Sequence, residues 1–300
     1  MDILLAEART RLAHALRSRV AGDDADSRAE MIWGAPGPRW FTPEDIIWRV
    51  HADASMFVGG IRALLLQSLH PLAMAGVAGH SGYKGDPWGR LQRTSTYIAT
   101  TTFGTISHAT ETIDHVRSIH ERVRGKADDG RPYRASDPHL LRWVHIAEAE
   151  SFLSAYEAYG ERSHGRVSEQ DRDDYVAQAA VSAELLGVID PPRSYAQLQR
   201  DLEAYRPELH STPAAREAAR FLLLQPPLPP SSLPGYAMLV GGALSIMPPW
   251  ARRELGLPVL PGADALLGAP AGRTAASLVR WAMGDPSVAT ERVSRSHQPE

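Results

Sequence analysis

Apolar residues recur at intervals of three and four along nearly the whole chain, and alternating runs are scarce. That spacing places the apolar side chains on one face of a 3.6-residue helix, so the pattern predicts a helical protein in which strands are not needed. Helices are expected over 2–20, 43–51, 53–69, 71–79, 86–103, 107–124, 137–160, 168–187, 194–205, 212–224, 235–247 and 272–283. Local chemistry supports several ends. Thr42-Pro43, Asp86-Pro87 and Asp137-Pro138 each set an oxygen acceptor ahead of a proline at the first helical position. Gly104, Gly125, Gly160 and Gly187 stand where helices would stop in a left-handed turn.

The segment QPPLPPSSLP reads as a stiff extended connector, because proline fixes φ and removes amide donors. The expected organisation is one all-α, multi-helix domain over 1–300. It has a core over about 40–225, the connector over 225–234, a C-terminal helical arm over 235–285 and a polar, frayed tail over 288–300. No repeat at a fixed period is visible.

Composition narrows the chemistry. A hydrophobic share of 43% in 300 residues is ample for a large core. The net charge is −3, with 32 basic and 35 acidic residues interspersed, which argues against nucleic-acid partners. Cysteine is absent, so disulfides, thiolate nucleophiles, iron–sulfur clusters and thiolate-ligated haem are excluded, and any metal must rest on histidine or carboxylate. The opening MDILLAEARTRLAHALRSRV has charges every few residues, which describes an amphipathic helix rather than a leader, and a cytoplasmic location is expected. The apolar stretch 59–79 contains Arg62, Gln67, His70 and Pro71, and 233–249 is short and broken by prolines. Both read as buried helices rather than membrane spans; surface contact of the second with lipid stays open.

Three features carry candidate chemistry. Ala109, Ile113, Val116, His120 and Val123 form one buried stripe of helix 107–124, interrupted by an imidazole. That ring must recover a partner lost with its hydration, either a hydrogen bond or a metal, and spacing alone leaves both open. On the preceding helix Arg90, Thr94, Tyr97 and Thr101 share a polar face, which suits a solvated surface or the wall of an oxygen-binding cavity. His145 and Glu148 form an i, i+3 pair that fits a buried hydrogen bond or a metal-orienting carboxylate. His70 and His80 end helices, where capping is the simpler role. Other templates fail. A di-iron bundle needs two Glu-x-x-His motifs with two further helical glutamates, which the chain does not supply. Nucleophile elbows, phosphate loops and His-Glu-x-x-His are missing as well.

Read in order, the elements LLLQSLHPLAMAGVAGHS, DPWGRLQRTSTYIATTTFG, VRSIHERVRG and GRPYRASDPHLLRWVHIAEAESFLSAYEAYG resemble the MpaB-type oxygenases and the catalytic domain of latex-clearing protein, the rubber oxygenase. The helix DRDDYVAQAAVSAELLGV extends the likeness. The resemblance implies a helical fold, partly globin-like in packing, around one haem b. It implies His120 as the iron ligand, from the Ile-His-x-x-Val element, and Arg90, Arg93 and Thr94 as pocket residues with catalytic roles. Tyr97 and His145 are expected as further cofactor-binding residues. The implied partners are dioxygen and a small hydrophobic substrate, such as an unsaturated isoprenoid or lipid-like molecule, entering a channel lined by helices 53–69, 86–103 and 235–247. Oligomeric state is left open.

Two departures matter. Arg93 stands where latex-clearing protein has a lysine, and arginine does not deprotonate to close the distal position. No Asp or Glu lies between Ala54 and Gly85, so a pocket base would have to come from Glu148 or a histidine. The alternatives are a haem- or lipid-binding carrier or sensor without turnover, and a cofactor-free helical interaction protein.

Overall fold

The computed structural model describes residues 24–80, 85–163 and 165–284, together with Glu7, Arg9, Thr10, Ala13 and Gly22. The expected helix 2–20 and the tail 288–300 lie outside this set, apart from those isolated N-terminal positions.

The chain is all-α, as the periodicity predicts. α1 (Ala25–Ala29) runs into a π turn (Glu30–Gly34) and is followed by α2 (Ile46–Ala52), α3 (Met56–Gln67), α4 (Pro71–His80), α5 (Pro87–Phe103) and α6 (Ile106–Arg122). After a small hairpin come α7 (Pro138–Tyr159), α8 (Glu169–Leu186), α9 (Tyr195–Tyr205), a 3-10 turn (Arg206–Glu208) and α10 (Pro213–Leu224). The arm comprises α11 (Leu233–Ser245), α12 (Pro249–Glu254), a helical stretch Pro261–Ala263 with a π turn Asp264–Gly268, and α13 (Ala269–Met283).

Side-chain caps set the main starts. Asp86 accepts from the Gly89 amide and Asp137 from the His139 amide, each ahead of a proline. Ser168 and Asp171 form a reciprocal capping box at α8. Thr42-Pro43 does not start a helix: Asp45 takes the Thr42 amide (2.7 Å) and closes a turn, so α2 begins at Ile46.

Three further expectations are corrected. Strands do form: β1 (Arg124–Lys126) pairs antiparallel with β2 (Pro132–Arg134), too short to show an alternating pattern in the sequence. Of the four glycines expected in left-handed stops, only Gly187 has a positive φ, 114°. Gly104 and Gly160 leave their helices extended, and what requires glycine there is contact. A Cβ on Gly104 would lie 2.6 Å from the Thr100 carbonyl oxygen, and one on Gly160 2.5 Å from that of Tyr156. Gly125 is part of β1, where a Cβ would meet the Tyr133 hydroxyl at 2.6 Å. The connector is extended only as far as Pro229; Pro230–Ser232 is a 3-10 turn leading into α11.

α3 and α7 form the central pair of the core. Gly59 lets them approach, since a Cβ there would lie 2.9 Å from the Phe152 ring and 3.2 Å from Ala155. Between them Arg62 and Glu150 are almost wholly buried and paired, with Arg62 also donating to Ser151 Oγ (2.7 Å) and the Ile246 carbonyl (3.1 Å). Each nitrogen of Arg62 thereby makes at least one hydrogen bond, as a buried charge requires. The arm packs through glycine on both sides: a Cβ on Gly242 would sit 2.7 Å from Gly272 Cα. Arg280 then fastens α13 to the α2–α3 junction by two 3.0 Å bonds to Asp53.

No single described helix is long and apolar enough to cross a membrane; α3 and α4 pass that test only together, bent by 108°.

Candidate active site

α2, α5, α7 and α8 enclose a narrow recess of about 40 Å³, partly open to solvent. Phe41, Ile47, Ile98, Phe152 and Ala179 give it apolar walls, and His51, Tyr97, His145, Glu148, Tyr175 and Ser182 give it polar ones. The expected channel walls differ: 86–103 contributes, but 53–69 and 235–247 do not line this space, which α2, α7 and α8 complete.

His51, in the last turn of α2, is fixed from two sides by Thr102 Oγ1 (2.7 Å at Nδ1) and Tyr175 Oη (3.1 Å at Nε2). Burial lowers its pKa to about 3, so the ring is neutral. His145 is also buried in the recess; burial, and then the Arg142 charge, lowers its pKa to about 4, and its Nε2 has no hydrogen-bond partner. One turn on, burial raises Glu148 to about 7 against an opposing hydrogen bond from Gln67. Burial and the nearby Glu148 charge raise the Tyr97 hydroxyl, while its bond with Ser182 opposes them. The recess therefore combines neutral imidazoles, neutral phenols and one carboxyl that titrates near neutrality, a set suited to moving a proton at neutral pH.

The anticipated residues are distributed over two places. Tyr97, His145 and Glu148 meet in the recess, with Thr101 beside them. Arg90 is half-buried nearer the start of α5, Arg93 and Thr94 are exposed, and Arg93 lies 3.3 Å from Asp86. His120 occupies the last turn of α6, outside the recess lining. Its ring is half-buried, burial lowers its pKa, and its Nδ1 is buried without a hydrogen-bond partner. The stripe that carries it changes along its length: Ala109 and Ile113 are fully buried, Val116 and Val123 only partly. His51, Tyr175 and Ser182 had no signal in the sequence, since their role depends on α2 and α8 meeting across more than a hundred residues.

A family model described as ER-bound oxygenase mpaB/B'/Rubber oxygenase, catalytic domain, matches residues 48–282. Neither the curated proteins nor the solved structures yield a match.

Proposed function

The chain belongs to the mpaB and rubber-oxygenase catalytic-domain family, and from that premise we propose that it is a haem b oxygenase acting with dioxygen on a small, unsaturated hydrophobic substrate. His120 is the proposed iron ligand. The observation that carries this is the His120 ring itself, kept neutral by burial and with a buried nitrogen that no protein group satisfies. A neutral imidazole free of protein hydrogen bonds fits the donor chemistry of a haem iron.

The surroundings support the reading. α4 is apolar on all sides, yet only Pro71 and Met74 of it are buried, and it packs on the hairpin that directly follows His120. Such a surface is suited to an apolar ligand. When bound, the haem supplies the redox chemistry that activates dioxygen. Arg90 and Thr94, on the half of α5 away from the α5–α6 connection, are proposed to donate hydrogen bonds to the oxygen side of the substrate complex, with Arg93 adding positive charge. Tyr97 and His145 are proposed to border the cofactor from the recess. Glu148 holds a proton near neutral pH and is the residue placed to take or return one, the base that the stretch 54–85 lacks.

The test is an absorption spectrum of protein reconstituted with haem, oxidised and reduced, for wild type and His120→Ala. The wild type should show a strong Soret band and the variant should lose it while keeping its far-ultraviolet helicity. A variant with an unchanged haem spectrum would remove His120 as ligand.

A further inference from the structure

Away from the recess, three ligating side chains from distant parts of the chain converge. His70 lies in the bend between α3 and α4, His139 is the second residue of α7, and Glu208 ends the 3-10 turn after α9. Their candidate ligand atoms all lie within 4.8 Å of one another. His139 Nε2 is 3.0 and 2.9 Å from the two Glu208 carboxylate oxygens, and His70 Nε2 is 3.5 Å from the nearer one. His70 is 2% exposed, and its Nε2 is buried and makes no hydrogen bond.

The bonds around His139 constrain where its protons lie. Tyr205 Oη lies 2.8 Å from the His139 carbonyl oxygen and 3.2 Å from His139 Nδ1. A carbonyl only accepts, so the phenolic proton goes there and the phenol oxygen is left to accept from Nδ1–H. Neutral His139 then turns its Nε2 lone pair on two carboxylate oxygens, which is repulsive unless a cation lies between them. A proton shared by His139 and Glu208 leaves His70 Nε2 with only a long, 3.5 Å approach to the Glu208 carboxylate. A metal ion serves all three. The Ala73 amide donates to His70 Nδ1 over a long 3.5 Å, a weak bond that a cation on Nε2 would displace.

We propose that His70, His139 and Glu208 bind one divalent cation of the zinc class, with water completing the coordination. Two imidazoles and a carboxylate are a zinc donor set, and bonds of about 2.0–2.2 Å at tetrahedral angles put ligand atoms about 3.3–3.6 Å apart. The 3.5 Å between His70 Nε2 and Glu208 falls in that range, and the 2.9 Å between His139 Nε2 and Glu208 is shorter, within the freedom of the half-exposed Glu208 side chain. Water reaches the site from the side of His139 and Glu208, which are 52% and 46% exposed. Tyr205 acts as the outer partner that orients a ligating histidine. The ion works as a clasp, joining the α3–α4 bend to the start of α7 and the end of α9, where the His210 amide already bonds the Leu69 carbonyl (2.9 Å).

The experiment uses tag-free, chelator-stripped full-length protein titrated with Zn²⁺ alone by calorimetry and with Co²⁺ alone by visible absorption. The wild type should bind one equivalent, show the strong visible bands of four-coordinate cobalt, and melt at a higher temperature with zinc. His139→Ala and Glu208→Gln alter half-exposed side chains and should fold; each should weaken binding about tenfold or more and lose the thermal shift. Wild type and both variants titrating alike, or a cobalt spectrum without those bands, would overturn the site. The readouts are independent of the Soret band, so the outcome does not bear on His120.

Discussion

Next to their connection, α5 and α6 bury Thr100, Thr101, Thr102, Phe103, Ala109 and Ile113, whereas at the far end Arg93 and Thr94 are exposed and Val116 and His120 are half-buried. The same two helices thus serve two purposes. The connected end is the more deeply buried: His51 has both ring nitrogens bonded there and Thr101 and Thr102 are bonded, while Thr100 Oγ1 and His108 Nδ1 are buried without a partner. The far end is less buried, with His120 Nδ1 unpartnered, and it is the end that the proposed haem would cover. What separates the two ends of this helical hairpin is burial, and the proposed site lies at the less buried one.

Four experiments break or sharpen this contrast. The largest effect is expected for His120→Ala, with complete loss of the Soret band; His51→Ala, at the connected end, should keep the haem and lower the melting temperature instead. Next, Arg62→Ala leaves Glu150 buried without its partner and should cost about 3–5 kcal/mol in urea unfolding. A loss below about 1 kcal/mol would mean that the pair is solvated. Arg90→Ala should retain haem yet slow oxygen-dependent turnover about a hundredfold; unaltered turnover would assign it to the scaffold.

The smallest effect is a change of slope. Burial raises Glu148 to about 7, so the stability it lends is complete below its ordinary value of 4.5 and is lost as pH rises through about 7. His51 and His145, lowered to about 3 and about 4, act the other way: their contribution is complete above 6.5 and is lost as pH falls. Glu148→Gln removes the opposing trend, so the loss of stability from pH 6.5 to 4.5 should steepen, as read from urea midpoints. Parallel curves for wild type and variant would contradict the assignment.

What was legible in the sequence was local. Asp86 and Asp137 announce their helices because a cap and its amide lie two or three residues apart. The i, i+3 spacing of His145 and Glu148 put both into one cavity for the same reason. The recess as a whole was not legible, because His51 and Tyr175 meet only after α2 and α8 pack. Gly104 and Gly160 show a different limit: glycine was required at both, but by a close carbonyl rather than by a left-handed turn, and sequence does not distinguish the two. Arg62 was visible as a charge in an apolar run, while its partner Glu150 is 88 residues away.

Phe41 and Ile47 line the recess, and Ile32 and Ile46 are buried with them, although all four precede the region 48–282 that defines the family. A buried side chain of this size contributes about 1.5–3 kcal/mol, so four rival the 5–15 kcal/mol by which a whole domain is stable. A gene fragment cut at Trp48 would encode an insoluble or molten product with one wall of its chamber gone, and a workable truncation must start upstream of Glu30.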